Sequence, residues 1–212
     1  YQQMQAQLAQ TEWQSAVENE CEFLLNKRTQ SARDPDAAYF AIPNAWKLNS
    51  LELMRLKLLA KWRMQEAMRR DLALNFVVHA ENLWTVAKHD PKSTSALLEL
   101  GLSTAEVRIH GKKLLQLLEQ VKRIDPKDYP PTIQRLMDDT RYKAALKTLQ
   151  QELTKITPEN LPKELIAGRR GLESLMKWHW RKEADNEPPE LLNGWRRPFG
   201  EKLLSALKAF DA

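Results

Sequence analysis

Side chains that commonly bind metals or act as nucleophiles are few in this chain of 212 residues. A structural zinc site uses about four Cys or His ligands at short, regular spacings. The sequence has a single cysteine, Cys21, so it can form neither an internal disulfide framework nor a cysteine-based zinc site. The four histidines are too scattered to form a ligand set: His79, His89, His110 and His179. We therefore expect no metal and no cofactor to bind this chain.

Signatures of covalent and nucleotide chemistry are missing as well. The sequence contains no G-x-S-x-G stretch and no glycine-rich phosphate-binding loop. The tripeptide His89-Asp90-Pro91 is explained better by a turn after a helix than by a catalytic role. Cys21 falls on a helical stripe with Trp13, Val17 and Leu24, which predicts a small core residue rather than a reactive thiol.

The remaining chemistry is that of basic side chains. Lysine and arginine number 33 against 28 acidic residues, which gives a formal net charge of +5. The net charge is −3 over residues 1–42, +5 over 43–125 and +3 over 126–212. Basic surfaces attract polyanions such as nucleic acids. A lysine-rich solvated surface without any polyanionic partner accounts for the charge equally well.

Hydrophobic periodicity predicts helices as the elements that carry these side chains. Leu51, Met54, Leu58, Leu59 and Trp62 recur at helical spacing and predict one long amphipathic helix whose other faces are basic. Because glycines number only six and β-branched runs are scarce, we expect an all-α fold. No apolar run is long enough to span a membrane, and the lone cysteine fits a cytoplasmic location.

Turn and cap signals divide the predicted helices into three regions. Residues 124–132 contain three prolines and form the strongest boundary signal. Gly101 is typical of a helix end, and Ser103 with Glu106 has the spacing of a capping box at the next helix start. The polar stretch 29–39 is typical of a linker. The expected regions are a helix and linker at 1–42, a first helical domain at 43–125 and a second at 126–212.

A sequence repeat links the two helical domains. The segments IHGKKLLQLL (109–118) and PFGEKLLSAL (198–207) match without a gap at an offset of 89 residues. The same offset aligns further pairs: Leu72 with Leu161, Leu83 with Leu172, Leu102 with Leu191, Arg108 with Arg197, and Gly111 with Gly200. Two copies are too few for a solenoid, so the repeat predicts two small helical bundles of one kind in tandem.

The paired glycines, Gly111 and Gly200, call for a physical reason. A glycine inside a helix costs about 1 kcal/mol relative to alanine. That cost is tolerable where another backbone must approach closely, because glycine has no Cβ. We therefore expect both glycines to lie at equivalent helix crossings in two superposable bundles.

The first copy resembles the HRDC domain, a helical module shared by a class of DNA helicases and ribonuclease D. The resemblance rests on LLAKWRMQEAMRRDLALNFVV (58–78) and SALLELGLSTAEVRIHGKKLLQLLE (95–119), with Trp62-Arg63 ahead of Ala67. It implies a bundle of short helices that ends in a helix with glycine before paired leucines.

The second copy departs from this pattern, because Gln151-Glu152 stands where Trp62-Arg63 stands in the first copy. Tandem HRDC domains of which the second is degenerate are similar to the C-terminal half of bacterial ribonuclease D. The segments WHWRK (178–182) and ELLNGWR (190–196) also resemble the end of that family's sequences. Residues 1–42 would then be the helix and linker that leave the family's exonuclease domain.

The resemblance implies a parent enzyme that is a 3′→5′ exoribonuclease and trims tRNA precursors. In that family two divalent metals, Mg or Mn, are held by four carboxylates in D-x-E and Y-x-x-x-D motifs. The only D-x-E here is Asp185-Asn186-Glu187, in a polar stretch with no strand before it, and no Y-x-x-x-D occurs. We therefore expect the catalytic carboxylates and their metals to lie upstream of Tyr1, in a domain that this chain lacks.

Three functions remain open at this stage. The chain is an RNA-contacting module that positions tRNA precursors, a helical scaffold that packs on the exonuclease domain or on a protein partner, or an enzyme in its own right, which the missing carboxylates disfavour. Phosphate contacts from basic side chains would supply affinity without reading sequence. Trp84, Trp178 and Trp195 could stack on bases, although core packing explains each as well. The candidate RNA-binding residues are Arg63, Arg69, Arg70, Arg108, His110, Lys112, Lys113, Arg169, Arg170, Arg196, Arg197 and Lys202.

The charge distribution also predicts which bundle meets RNA. The first copy is the more basic, and Glu201 in the second copy aligns with Lys112 in the first. We therefore expect the first bundle to dominate RNA binding and the second to be mainly structural.

Overall fold

In the computed structural model, which describes residues 1–30, 34–181 and 188–211, every regular element is helical. The expected all-α fold is thus confirmed for these residues. In chain order the α-helices are α1 (Gln2–Leu8), α2 (Gln14–Gln30), α3 (Ser50–Arg70), α4 (Leu74–Val77), α5 (Ala80–His89), α6 (Thr94–Glu99), α7 (Thr104–Val121), α8 (Tyr142–Ile156), α9 (Lys163–Ile166), α10 (Arg169–Arg181) and α11 (Arg197–Leu207).

Contacts divide the chain into two compact units. One unit is Ala32–Gln134, which we call the first bundle. The other combines Tyr1–Ser31 with Arg135–Ala212, and we call its part from Arg135 onward the second bundle. In the chain, the boundary between the two bundles therefore follows Gln134, whereas the sequence indicated a boundary at residue 125.

Helix α3 forms the spine of the first bundle. Asn49 caps it: the Asn49 side chain accepts from the backbone N–H of Glu52 at 2.9 Å, and the Glu52 carboxylate accepts from the backbone N–H of Asn49 at 2.9 Å. Such reciprocal caps satisfy donors that a helix start leaves unpaired. The inner face of α3 is fully buried against α5 and α7, with Leu59, Leu83 and Leu114 in one core.

Helix α7 begins at the predicted capping box. The backbone N–H of Glu106 donates to Ser103 Oγ at 3.2 Å, and that of Ser103 donates to Glu106 Oε2 at 3.0 Å. Gly101 precedes it with φ +93°, a left-handed conformation that favours glycine. Burial alone would raise the pKa of Glu106, but donors including the N–H groups of Ser103 and His79 lower it overall. The cap therefore also ties α7 to the start of α5.

Residues 34–42 belong to the first bundle, although the sequence predicted a linker there. The segment Pro35–Ala41 forms a 3₁₀ helix, capped by Asp34, that packs along α3. Tyr39 and Ile42 are buried in the same core as Leu59. Lys61 on α3 donates to Asp36 at 2.8 Å and holds the segment from outside. The domain therefore starts before residue 43.

The second bundle repeats this arrangement. Helices α4 and α9 are each four residues long and start 89 residues apart, and α5 and α10 also start 89 residues apart. The core of the second bundle contains Leu149 of α8, Leu175 and Met176 of α10, and Leu203 of α11. The tandem repeat inferred from the sequence is therefore present in the fold.

The two repeated glycines are both buried, but their surroundings differ. A Cβ at Gly200 would overlap the backbone carbonyl of Leu191, whose carbon would lie 2.6 Å away. A Cβ at Gly111 would meet only side chains, the nearest being Val107 at 3.1 Å and Leu97 at 3.4 Å. The predicted close backbone approach is therefore correct for Gly200 and wrong for Gly111.

The N-terminal helix α2 lies in the same unit as the second bundle. Glu20 accepts a hydrogen bond from Trp195 Nε1 at 3.1 Å and forms an ion pair with Arg196. Trp13 packs edge-on against Trp195, with ring centroids 6.1 Å apart. The half-buried face of α2 includes Glu20 and Phe23, whereas Cys21 is exposed. The predicted core role of Cys21 is therefore wrong.

Candidate nucleic-acid interface

Arg63 is a structural residue rather than a surface cation. It is only 5% exposed, and burial lowers the pKa of its guanidinium. Its Nε donates to the carbonyl oxygen of Leu74 at 3.2 Å, and a terminal nitrogen donates to Asn75 Oδ1 at 2.6 Å. Both acceptors belong to α4, so Arg63 fixes this short helix against α3. Because its donors are used inside the bundle, we remove it from the candidate interface.

His110 is buried as well and leaves the candidate interface for the same reason. It is 6% exposed and packs edge-on against Trp62, with ring centroids 5.3 Å apart. Burial lowers the pKa of His110, and the opposing attraction of Glu66 does not restore it. The imidazole is therefore neutral near pH 7 and offers no charge to a phosphate.

Arg196 serves the second bundle as Arg63 serves the first. Its Nε donates to the carbonyl oxygens of Leu165 and Ile166 in α9, both at 3.2 Å. Its guanidinium also pairs with Glu20 and lies 4.5 Å from the ring centroid of Trp195. These contacts occupy Arg196 within its own unit, and we remove it from the candidate interface.

Four other candidate arginines are exposed but paired with carboxylates. Arg69 binds Glu66 through two nitrogens, at 3.0 and 2.7 Å, and Arg70 lies 3.8 Å from the same carboxylate. Arg169 donates to Glu173 at 2.8 Å and to the Tyr142 hydroxyl at 2.8 Å, and Arg197 donates to Glu201 at 2.8 Å. The arginine side of each pair is open to solvent, which weakens the attraction. These arginines are therefore available to phosphates only in competition with their carboxylates.

The best-placed candidates are exposed cations that form no ion pair or hydrogen bond within the described residues. In the first bundle they lie on α7, where Arg108 and Lys112 are four residues apart and point away from the core. Lys113 flanks them on the same helix. The complete set is Arg108, Lys112, Lys113, Arg170 and Lys202.

The tryptophans are held mainly by contacts within their own units. Trp84 Nε1 donates to the carbonyl oxygen of Asn44 at 3.0 Å, and Trp195 Nε1 donates to Glu20. Trp178 is half-buried. The interpretation as packing residues therefore suits Trp84 and Trp195 better than base stacking.

A basic groove on the second bundle was not predicted from the sequence. The groove has a volume of about 840 Å³ and lies between α8, α9 and the start of α10. Its cations are Lys147, Lys155, Lys163 and Arg169, against one lining carboxylate, Glu164. A signal was available, since the offset of 89 residues places Lys147 and Lys163 where the first copy has Leu58 and Leu74.

The described residues also bear on metal binding and membrane insertion. No group of three or more His, Cys, Asp or Glu side chains among them could hold a metal ion. The D-x-E stretch, Asp185-Asn186-Glu187, lies outside the described residues. No helix within the described ranges is long and apolar enough to cross a membrane.

Comparison with protein-family models matches both bundles. Residues 52–118 match the HRDC domain, and residues 140–204 match the ribonuclease D C-terminal HRDC domain. The chain belongs to the ribonuclease D family, as its C-terminal region with two HRDC domains. It is 49% identical over 210 residues to ribonuclease D of Haemophilus influenzae, covering 98% of this chain and 53% of that relative.

Other members of the ribonuclease D family agree. Ribonuclease D of Escherichia coli K12 is 40% identical over 196 residues, covering 92% of this chain and 51% of the relative. The crystal structure of Escherichia coli RNase D, an exoribonuclease involved in structured RNA processing, superposes with a TM-score of 0.87 at 39% identity. That superposition covers 93% of this chain and 53% of the solved one. The chain thus spans about half the length of the relatives it matches.

Proposed function

We propose that this chain is the RNA-binding and substrate-positioning region of a ribonuclease D-like 3′→5′ exoribonuclease that acts in tRNA 3′ processing. The observation that carries the proposal is the exposed cationic face of α7, formed by Arg108, Lys112 and Lys113. These side chains form no ion pair or hydrogen bond within the described residues, so they can meet phosphates without first breaking an internal contact. The solved relative from Escherichia coli is involved in structured RNA processing, which supports the same assignment.

The catalytic step belongs, in this proposal, to the part of the enzyme that this chain does not include. The relatives are about twice as long as the matched region, which leaves room for an exonuclease domain. The Mg or Mn ions implied by the family resemblance would bind there. The chain itself would hold the RNA body while the 3′ end is trimmed, a role that needs charge and rigidity rather than an acid, a base or a metal.

A scaffold function has its own support in the first bundle. Met68, near the end of α3, is 64% exposed, and Phe76, in α4, is 79% exposed. Helix α4 packs against α3, and exposed large apolar side chains on one edge are typical of surfaces that pack on another protein. We propose that this edge of the first bundle packs on the exonuclease domain, while the cationic face of α7 remains available to RNA.

The RNA-binding proposal is tested on the 212-residue chain with a fluorescent tRNA precursor and anisotropy at two salt concentrations. The test variant is Arg108→Gln/Lys112→Gln/Lys113→Gln. A control variant, Lys47→Gln/Lys88→Gln/Lys127→Gln, loses the same charge from exposed positions elsewhere in the first bundle. Each lost phosphate contact flattens the slope of log affinity against log salt by about 0.7 on a single strand and about 0.9 on a duplex, so we expect a change of about 2–3 for the test variant only.

Two results would contradict the proposal. If the unmodified chain does not bind the precursor at low salt, the scaffold function stands alone. If the test and control variants lose affinity equally, the α7 face has no special role. Metal-dependent nuclease activity of the chain by itself would instead revive the third function considered above.

A further inference from the structure

We propose that the basic groove on the second bundle binds the phosphodiester backbone of single-stranded RNA, independently of base sequence. The inference rests on the proposed RNA-binding function and adds a second site to it. It departs from the sequence-based expectation that the second bundle is mainly structural.

The groove carries an excess of positive charge. Lys147 on α8 and Lys163 on α9 are exposed, and neither forms an ion pair or hydrogen bond within the described residues. Lys155 and Arg169 add two more cations, which pair with the half-buried carboxylates of Glu152 and Glu173. Glu164 is the one carboxylate among the lining residues, so the two unpaired lysines outnumber it. A concave surface lined by one sign of charge concentrates counter-ions of the opposite sign.

The two copies of the repeat differ at the groove. In the first bundle Leu58 and Leu74 occupy the positions of Lys147 and Lys163, and both pack against the buried core. There the 3₁₀ segment Pro35–Ala41 lies along α3 and covers apolar surface. The second bundle has lysines at these positions, and they line an open groove. The groove of the second bundle is therefore open to solvent and suited to anions, whereas the first bundle uses the same two positions for core packing.

The walls of the groove define the ligand. Gln150, Gln151 and Thr154 supply hydrogen-bonding groups along α8, and no aromatic side chain is among the residues that line it. A groove without an aromatic platform cannot stack bases, which is how single-stranded RNA is read or held through its bases. Its polar lining also makes it a poor surface for an apolar partner helix. Phosphates along a strand are the ligand that matches separated cations without stacking groups.

The length of the groove fits several phosphates. Lys147 and Lys155 are eight residues apart on α8, which corresponds to about 12 Å along the helix axis. The ends of this wall are therefore too far apart for one inorganic phosphate to contact both lysines, whereas successive phosphates of one strand can.

The experiment compares two charge-reversal variants in the full 212-residue chain. Lys147→Glu/Lys163→Glu alters the groove, and Lys177→Glu/Lys208→Glu makes the same change at exposed positions of the second bundle that do not line it. The probe is a fluorescent 12-nucleotide oligo(U), followed by anisotropy from 50 to 200 mM salt. We expect the groove variant to lose at least fivefold more affinity than the control, with a salt slope flatter by about 1.4. Circular dichroism checks that both variants keep their helices.

A second measurement avoids substitutions altogether. In the unmodified chain, oligo(U) should shift the amide NMR signals of Gln151, Thr154 and Gly168 at the groove more than that of Lys177. Inorganic phosphate at the same phosphate concentration should shift them much less, because it cannot span the cations.

The outcomes separate this inference from the proposed function. If the unmodified chain binds oligo(U) but the groove and control variants lose affinity equally, with no shifts at the groove, the inference is wrong and the α7 site stands. If the unmodified chain binds neither oligo(U) nor a tRNA precursor, both proposals are wrong. If inorganic phosphate shifts the groove signals as strongly as oligo(U), the groove is a small-anion site and the RNA assignment fails.

Discussion

Arg63 Nε donates to the carbonyl oxygen of Leu74 at 3.2 Å and thereby fixes the four-residue helix α4 from inside the first bundle. In the second bundle Glu152 occupies the position that aligns with Arg63. The carbonyl oxygens of α9 nevertheless accept hydrogen bonds from an arginine. That arginine is Arg196, which enters from the opposite end of the repeat. A four-residue helix leaves most of its carbonyls without internal partners, and the internal bond to the Leu74 carbonyl, from the backbone N–H of Val78, is long at 3.4 Å, so each copy takes a donor from elsewhere. Both copies therefore use an arginine to hold the short helix, but the arginine comes from a different position in each copy.

Replacing Arg63 tests this role. Arg63→Leu removes the donor but keeps apolar volume, so the Leu74 carbonyl keeps only its long bond from the backbone N–H of Val78, at 3.4 Å, and Asn75 Oδ1 loses its bond to Arg63. We expect the free energy of unfolding to fall by about 2–3 kcal/mol in urea titrations followed by circular dichroism. Arg63→Lys should restore little, because one ammonium cannot reach both the Leu74 carbonyl and Asn75. Arg108→Leu, an exposed matched control, should change stability by less than about 0.5 kcal/mol, and an equal effect at both sites would contradict the assignment.

His110 should make the first bundle sensitive to mild acid. Burial lowers the pKa of His110 in the folded chain, so the unfolded chain binds the proton more readily. Its contribution to stability is therefore complete above the unfolded pKa of about 6.5 and declines as the pH falls below that value. We expect urea midpoints to drop between pH 7.5 and pH 5, and His110→Leu to reduce that drop. The other three histidines are unchanged in this variant, so an identical pH dependence would rule out His110 as the source.

Local patterns explain what could be predicted from the sequence. The capping box of Ser103 and Glu106 and the offset between Gly111 and Gly200 depend on residues close in the chain or on exact repetition. Helix starts and the tandem architecture were therefore predictable. The α7 candidates Arg108, Lys112 and Lys113 also stay on the surface, because the apolar stripe of an amphipathic helix fixes which face is exposed.

Contacts between distant residues explain what could not be predicted. Arg63 and His110 belong to residue types that are usually exposed, and only the final position of α4 and Trp62 makes a buried site for them. Residues 34–42 are too few to show a helical period, so their apolar run after Asp36 did not reveal that Tyr39 and Ile42 are buried. Glu20 determines which face of α2 packs on the second bundle, because its carboxylate accepts hydrogen bonds from Trp195 and Arg196. These partners lie about 175 positions away in the sequence.

Glu20 should hold α2 in place. Its carboxylate accepts from Trp195 and pairs with Arg196, and both partners are themselves half-buried. In Glu20→Ala these donors lose their acceptor, so we expect amides of residues 14–26 to exchange with deuterium at least tenfold faster. Glu18→Ala is the control, because Glu18 is exposed and bonds only to Gln14 among the described residues. Equal exchange in the two variants would show that the apolar contact of Trp13 suffices to dock the helix.

The two repeated glycines should respond differently to the same substitution. In Gly200→Ala the new Cβ would overlap the Leu191 carbonyl, so backbone must shift, and we expect a loss of about 2–3 kcal/mol in urea unfolding. In Gly111→Ala the Cβ meets flexible side chains, and the better helix propensity of alanine, worth about 1 kcal/mol, offsets the crowding. We therefore expect Gly111→Ala to lie within about 0.5 kcal/mol of the unmodified chain, while the bulkier Gly111→Leu loses about 1–3 kcal/mol.

Gly171 provides a matched control for this comparison. It lies in α10, and an added Cβ would meet Ala167 at 3.6 Å and Leu191 Cδ1 at 3.8 Å, both ordinary contacts. Gly171→Ala should therefore keep or raise stability, although it contacts the same Leu191 that Gly200→Ala displaces. The expected order of unfolding midpoints is Gly171→Ala, then Gly111→Ala, then Gly200→Ala. A Gly200→Ala midpoint at or above that of Gly111→Ala would show that residues 190–192 yield easily, and the close backbone approach would not be the reason for glycine at position 200.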